Sequence, residues 1–320
     1  MLKNGGLEVE RLPGCGPKTA LLYCEFTESG TLSEVKAAES DTEIVTLRLF
    51  YEIFGVGATT ARDFYLKGWR DLDDVVDYGW QTLSRVQQIG VKYYDDFQLK
   101  IPRDEVERIA GTILEHARTL QPGYEMTIVG GYRRGKVASG DVDVILSHRD
   151  ETATRYFVDR IVQSLEQAKL IKHLLSHSHK NSERGQMPVS WKGNARGSGF
   201  DTLDKALVVW QDPDWSTGEE TNPNPHRRVD IIISPWRTVG CAVLGWTSGT
   251  TFQRDLRRYC KAQRSLKFDS SGVRSRKDGS WVDMETSRDG QPAPDMLSAE
   301  RRVFEALELE YRPPEERCTG

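Results

Sequence analysis

The stretch Gly130-Gly131-Tyr132-Arg133-Arg134-Gly135-Lys136-Val137-Ala138-Ser139-Gly140-Asp141-Val142-Asp143 constrains this chain more than any other. Met126 to Val129 before it reads as a short strand, and Val142 to Leu146 reads as the next. A Gly-rich, cationic turn joins them. Glycines let a backbone approach an anion closely, and bare N–H groups in such a turn can cradle phosphate oxygens. Arg134 and Lys136 add positive charge at the same place. Asp141 and Asp143 are two residues apart, so on a strand both carboxylates share one face. A double glycine alone is a common turn, and Asp-x-Asp alone is a common strand end. Joined in this order they read as a phosphate cradle followed by paired carboxylates for divalent metal, the two-metal arrangement of phosphoryl transfer.

The run resembles the nucleotidyltransferase signature of the DNA polymerase X family, which includes polymerases beta, lambda and mu and terminal deoxynucleotidyltransferase. Gly-Gly-Tyr-Arg-Arg-Gly-Lys followed by Gly-Asp-Val-Asp is close to the lambda and mu form, including the polymerase IV-like form of fungi. The resemblance extends from about residue 9 to residue 317. It implies an α+β fold: a helical amino-terminal region, a nucleotidyltransferase palm on a mixed sheet, and a small α+β carboxy-terminal subdomain. The expected divisions are 1–44, 45–103, 104–240 and 241–320.

Composition sets looser bounds. At 320 residues the chain can form two or three compact units, and 38% hydrophobic with 29% charged residues suits a globular protein. No apolar run reaches the roughly 18 residues of a membrane span, and the first residues show no apolar leader. Cys15, Cys24, Cys241, Cys260 and Cys318 include no Cys-x-x-Cys pair, so neither a disulfide framework nor a zinc site is read from them. The net charge of −4 leaves nucleic-acid binding to local basic clusters. His173, His177 and His179 fall in a polar stretch and are read as solvated rather than metal-bound.

Upstream, Gly14-Cys15-Gly16-Pro17-Lys18-Thr19-Ala20 recurs as Gly55-Val56-Gly57-Ala58-Thr59-Thr60-Ala61. Both copies resemble helix-hairpin-helix motifs, in which a Gly-x-Gly turn frees N–H groups at a helix start to bind a DNA phosphate. Such contacts carry no sequence information. The implied DNA-binding residues here are Gly14, Gly16, Lys18, Gly55, Val56 and Gly57, and the resemblance also implies a monovalent cation, Na⁺ or K⁺, in the hairpins. Leu47, Phe50, Tyr51 and Phe54 recur at helical spacing and are read as core. Asp104 with Glu107 reads as a helix N-cap with a supporting acid. Val106, Ile109, Ala110, Ile113, Ala117 and Leu120 share one face of the helix that follows.

Beyond the signature, residues 176–201 read as a polar, glycine-containing loop, positioned like the variable palm loop of polymerase mu and terminal transferase; a functional loop and a plain insertion both fit. Arg227-Arg228-Val229-Asp230-Ile231-Ile232-Ile233 reads as a buried strand in which an aspartate is costly unless paired or metal-bound. By resemblance Asp230 is the third metal carboxylate and the general base. Gly245-Trp246-Thr247 reads as a turn leading into a helix, and resembles the sugar-binding turn of polymerase mu and terminal transferase. Gly245 would relieve crowding at a ribose 2′-hydroxyl and Trp246 would pack on the sugar. On the following helix Phe252, Leu256, Tyr259 and Cys260 share one face, and Arg254, Arg257, Arg258 and Lys261 share the other.

The resemblance therefore implies that Asp141, Asp143 and Asp230 bind two Mg²⁺ ions, with Mn²⁺ able to substitute. Gly130, Gly131, Arg134, Lys136, Ser139, Gly140, Gly245, Trp246, Thr247 and Gln253 would bind the nucleotide, and Arg254, Arg257 and Arg258 the DNA. The implied activity is that of a monomeric, nuclear DNA polymerase. It fills gaps and joins broken ends, takes deoxynucleoside and some ribonucleoside triphosphates, and uses no membrane. A template-independent terminal transferase and a non-catalytic DNA scaffold are the competing readings. Ser139-Gly140, where mu and terminal transferase carry a histidine, argues against strong terminal transfer. No counterpart of the lyase lysine segment or of a BRCT module is read, so no deoxyribose-phosphate lyase activity is expected.

Overall fold

The structure, a computed structural model, describes residues 4–188, 202–215 and 221–318. The chain divides into compact units 1–94 and 95–320.

The first unit is helical: α1 (Asn4–Glu10), α2 (Pro17–Ser29), α3 (Ser33–Ser40), α4 (Thr42–Glu52), α5 (Ala58–Leu66), the single turn α6 (Leu72–Asp74) and α7 (Arg85–Lys92). Its core is Phe50, Ile53, Val56, Ala61, Phe64, Trp69, Val75 and Leu83. Phe64 meets Phe50 edge-on at 5.7 Å and Trp69 at 4.8 Å, centroid separations at which aromatic pairs add to plain burial. Tyr51, read as core, is instead 60% exposed. It is one residue, or 100°, round the helix from Phe50, and only one of the two can face inward.

The two glycine hairpins have the same backbone. Gly14 and Gly55 take φ of +85° and +87°, a region that favours glycine. Cys15 N donates to Leu12 O and Val56 N to Ile53 O, both at 3.0 Å. Gly16 and Gly57 then cap α2 and α5 in extended conformation, with no side chain on their first N–H groups.

The boundary between the units falls in α8 (Tyr94–Gln98). The second unit continues with β1 (Ile101–Pro102), α9 (Arg103–Leu120), β2 (Glu125–Ile128), α10 (Gly130–Arg133), β3 (Ala138–Ser139) and β4 (Val142–Ser147). Next come α11 (Phe157–Gln167), β5 (Ile171–Ser178), α12 (Lys180–Glu183), β6 (Asp204–Trp210) and β7 (Arg227–Ile233). Among the described residues one sheet runs β2-β4-β7-β6-β5, antiparallel except for the parallel pair β4 and β7. The mixed sheet with helices on its face makes the fold α+β.

Alternation along β4 and β7 decides what each face does. Val142, Val144, Val229 and Ile231 point to α9 and α11, where Val106, Ile109, Ile113, Phe157, Ile161 and Leu165 close the main core. Asp143 and Asp230 therefore point to the other face. Ile145 and Ile232 share that face and pack on α13 (Val239–Thr247). After α13 come α14 (Thr250–Gln263), the antiparallel strands β8 (Leu266–Asp269), β9 (Gly272–Ser275) and β10 (Trp281–Val282), and α15 (Met296–Ala306). α13 lies close on α15 because Gly240 leaves room for the Ala299 carbonyl, which a Cβ would overlap. Glu285 receives the Gly240 and Cys241 N–H groups at the start of α13, and burial pushes its carboxyl up to about 8.

Three local readings change. Asp104 does not cap α9: the cap lies two residues earlier, at Pro102, and Asp104 lies in the first turn. Proline's fixed φ and missing N–H suit it to a helix entrance. Residues 176–188 are not all loop, since β5 runs to Ser178 and Asp204 anchors α12 by accepting the Asn181 and Ser182 N–H groups at 2.9 and 3.0 Å. The rest of the presumed loop, 189–201, lies outside the described residues. Gly245 and Trp246 sit in the last turn of α13 rather than in a free turn; the break comes at Ser248 and Gly249.

Candidate active site

Asp143 and Asp230 are register partners on the parallel strands β4 and β7. Asp141 stands just before β4, two residues from Asp143. The three carboxylates converge: burial, and then the charges of Asp141 and Asp230, hold the Asp143 carboxyl well above the ordinary carboxylate range, with Arg228 and Arg134 opposing. An Arg228 Nη2 to Asp141 Oδ2 bond of 2.6 Å partly offsets the negative charge. Sequence reasoning missed this arginine, although it is two residues from Asp230 and so on the same strand face.

The glycine cradle is tighter than a free turn. Gly130 begins the one-turn helix α10 at φ +60°, and a Cβ there would overlap the Asp143 carboxylate. Gly131 faces Lys136 and Ser139, whose atoms would lie 3.2 and 3.6 Å from a Cβ. Arg103, at the start of α9, donates to the carbonyls of Tyr132 and Lys136 at 2.8 and 3.1 Å and lies 3.7 Å over the Tyr132 ring. Glu107, read as a capping acid, instead accepts the Tyr132 hydroxyl at 2.7 Å. The base of α9 thus holds the cradle's carbonyls. Gly140 precedes the carboxylates, with Lys100 Nζ 3.9 Å from where its Cβ would be.

The end of α13 abuts this cradle. Arg134 Nη1 donates to Thr247 O at 2.8 Å, and Arg133 Nη1 to Thr247 Oγ1 at 2.6 Å. Arg133 also makes a two-pronged pair with Glu300 at 2.9 and 2.7 Å, and the fully buried Arg317 reaches Glu300 Oε1 at 2.6 Å. Glu300 is fully buried, which alone would raise its carboxyl. The hydrogen bonds and charges of Arg133 and Arg317 outweigh that and hold it below the ordinary range.

Gly245, Trp246, Gln253 and Arg257 line a cavity of about 290 Å³ together with Lys205, Phe268 and Ser270. The side of Gly245 where a side chain would project is taken by Ser270, whose Cβ would lie 3.1 Å from an added Cβ. Lys205 Nζ sits 5.4 Å over the Trp246 ring. Gln253 spans Ser248 O at 2.7 Å and Arg257 Nη1 at 3.2 Å. Arg257 therefore belongs to the cavity wall rather than to the exposed stripe, which keeps Arg254, Arg258 and Lys261. In the first unit Lys18 is exposed and pairs with Glu34 at 3.1 Å. The hairpin and palm residues fall in separate compact units.

All the converging acids offer oxygen donors, which suit a hard divalent ion, and a bound cation would relieve their mutual repulsion. The candidate site therefore fits the metal that the signature implies. Among the described residues no helix is long and apolar enough to cross a membrane.

Known proteins are similar to this one along nearly its whole chain. The fingers domain of DNA polymerase lambda matches residues 48–98, the palm of DNA polymerase beta residues 100–236, and the thumb of DNA polymerase beta residues 242–318. The type-X family DNA polymerase pol4 of Schizosaccharomyces pombe is 31% identical over 98% of this chain and 56% of its own length. The human DNA-directed DNA/RNA polymerase mu is 30% identical over 97% of this chain and 60% of its own length. DNA polymerase lambda of Rattus norvegicus is 30% identical over 96% and 48%. The chain thus spans about half to three-fifths of the length of these relatives. With fingers, palm and thumb all matched in order, and the carboxylates registered on the palm sheet, the chain belongs to the X family of DNA polymerases.

Proposed function

We propose that this chain extends the 3′-hydroxyl of a DNA primer with nucleotides, in gap filling and in joining broken ends. The observation that carries the reading is the pairing of Asp143 with Asp230 beside Asp141, against the start of α10, where a Cβ on Gly130 would overlap the Asp143 carboxylate. Asp141, Asp143 and Asp230 would hold two divalent ions, Mg²⁺ or in its place Mn²⁺. When bound, these would neutralise triphosphate charge and favour ionisation of the attacking hydroxyl.

The chain's own residues divide the remaining work. Asp230 accepts the proton of the primer 3′-hydroxyl, whose oxygen attacks the α-phosphorus in line as pyrophosphate departs. The backbone of Gly130, Gly131, Ser139 and Gly140, with Arg134 and Lys136, binds the triphosphate, so its charge is met without reorganisation during reaction. Gly245, Trp246 and Thr247 bind the sugar, and Gln253, Arg254, Arg257 and Arg258 the nascent pair and template strand. The hairpins at Gly14, Gly16 and Lys18 and at Gly55, Val56 and Gly57 grip DNA phosphates through bare helix N–H groups.

Ribonucleotide use is supported by the bare Gly245 and by the likeness to a DNA/RNA polymerase. Repair of breaks in nuclear DNA is the setting that the resemblance of the signature implies. The test is extension of a gapped duplex, and of a lone single strand, with Mg²⁺. The reading requires extension of the gapped duplex that is lost in Asp230→Ala. Extension of the single strand alone would favour terminal transfer, and near wild-type extension by the variant would refute the assignment.

A further inference from the structure

The carboxylates of the polymerase site use one face of the sheet; a separate group of donors lies on the other. His177 and His179, at the end of β5, were read from the sequence as solvated. His177 is the register partner of Ala206, which packs into the helix-side core, so His177 faces α11, away from Asp143 and Asp230. On α11 it meets Asp159: His177 Nε2 lies 3.0 Å from Asp159 Oδ1, and His179 Nδ1 lies 3.9 Å from the same oxygen. The three donor atoms lie within 4.8 Å of one another.

The two nitrogens are shielded from solvent although the side chains are partly exposed, and neither makes a hydrogen bond. The 3.0 Å approach is therefore close without hydrogen-bond geometry. Two ring nitrogens close to one carboxylate oxygen would, if both rings were protonated, set two cations against each other, with ring centroids 5.1 Å apart. Neutral rings sharing a cation with the carboxylate satisfy all three donors. The separations of 3.0 and 3.9 Å bracket the roughly 3.3 Å edge of a tetrahedron around zinc, given Zn–N and Zn–O bonds of about 2.0–2.1 Å. His179 turns its other nitrogen, Nε2, toward Glu183 Oε1 at 3.7 Å. An outer carboxylate on a ligand imidazole commonly fixes its tautomer and raises its basicity.

We propose that Asp159, His177 and His179 form a transition-metal site of the Zn²⁺ class, separate from the polymerase ions. Its fourth position is open to water and Glu183 orients His179. Imidazole nitrogen with one carboxylate selects zinc or its neighbours over Mg²⁺. The metal ties the end of β5 to α11, and so steadies the strand end from which α12 follows.

The test uses the full chain stripped by chelator, in an Asp141→Asn/Asp230→Asn background that weakens the other candidate metal site. Zn²⁺ is titrated calorimetrically and Co²⁺ by visible absorption. A single equivalent of Zn²⁺ is expected, with Co²⁺ bands of a low-coordinate site. Both should be lost in His177→Ala and in His179→Ala, and Glu183→Gln should weaken binding about tenfold to a hundredfold. Circular dichroism and the milder His177→Gln separate loss of ligand from loss of fold. Absence of Zn²⁺ binding in the background protein, or binding unchanged in a folded His177→Ala/His179→Ala chain, overturns the site.

Discussion

Asp143 and Asp230 lie side by side across the parallel seam between β4 and β7. Parallel pairing brings together residues 87 positions apart in the sequence, and alternation sends both carboxylates to the face away from α9 and α11. Asp141 adds a third. The result is negative charge collected around Asp143, opposed by the guanidinium groups of Arg228 and Arg134.

Gly130→Ala should cost about a hundredfold or more in primer extension, as reacting groups displaced by roughly 1 Å lose that much. The new methyl overlaps the Asp143 carboxylate, and φ of +60° strains any side chain. Single-turnover extension measures it. Activity within a few-fold of wild type would show that the carboxylate need not sit against α10.

Arg228→Ala should lower the melting temperature of the metal-free protein and enlarge the rise produced by Mg²⁺ or Mn²⁺. The variant leaves Asp141 without its 2.6 Å partner beside two other acids, and a ligand that binds only the folded state stabilises by mass action. Thermal melts with and without metal report both. An unchanged metal response would mean that Arg228 does not compete for Asp141.

The signature residues could be read in advance because they are local: cradle, charge and paired acids fall within fourteen consecutive positions. The hairpins were legible for the same reason, since Gly-x-Gly sets the turn and the bare helix start together. What pairs across long separations was not. Nothing near Arg133 announces Glu300, 167 residues away, or that Arg317 is buried against the same acid. Tyr51 fitted the helical spacing but lost its place to Phe50 one position away. Gly245 and Trp246 looked like a turn because glycine is a poor helix former. Packing of α13 against α15 and Ser270 overrides that propensity. The α12 turn carries no apolar period and depends on Asp204 from another strand.

Glu300→Gln should destabilise the second unit by roughly 3–5 kcal/mol, the scale for breaking a buried ion pair and leaving its partners uncompensated. Glu300 is held below its unfolded value by Arg133 and Arg317 despite burial. The folded state thus binds its proton less tightly than the unfolded state. The stability it contributes is fully present above the unfolded value near pH 4.3 and is lost as pH falls through the lower folded value. Denaturant melts across this acid range should show wild type losing more stability than the variant. Parallel loss in the two proteins would mean that the pair does not carry this linkage.

Incorporation of ribonucleotides should lie within about a thousandfold of deoxyribonucleotides in kcat/KM, a gap of less than roughly 4 kcal/mol in transition-state binding. Gly245 brings no side chain to the cavity wall, and the place its Cβ would take lies against Ser270. Steady-state kinetics with matched sugar pairs on a gapped duplex decide it. A larger preference would place the sugar check elsewhere in the cavity.

The most direct measurement is a crystal structure of the chain with a gapped duplex, a non-hydrolysable deoxynucleoside triphosphate and Mn²⁺, using anomalous scattering to locate the metal. Two Mn²⁺ ions should lie among the carboxylates of Asp141, Asp143 and Asp230, with the triphosphate against α10 and Arg228 turned away from Asp141. Anomalous peaks absent from that trio, or Asp230 directed away from the nucleotide, would contradict the account.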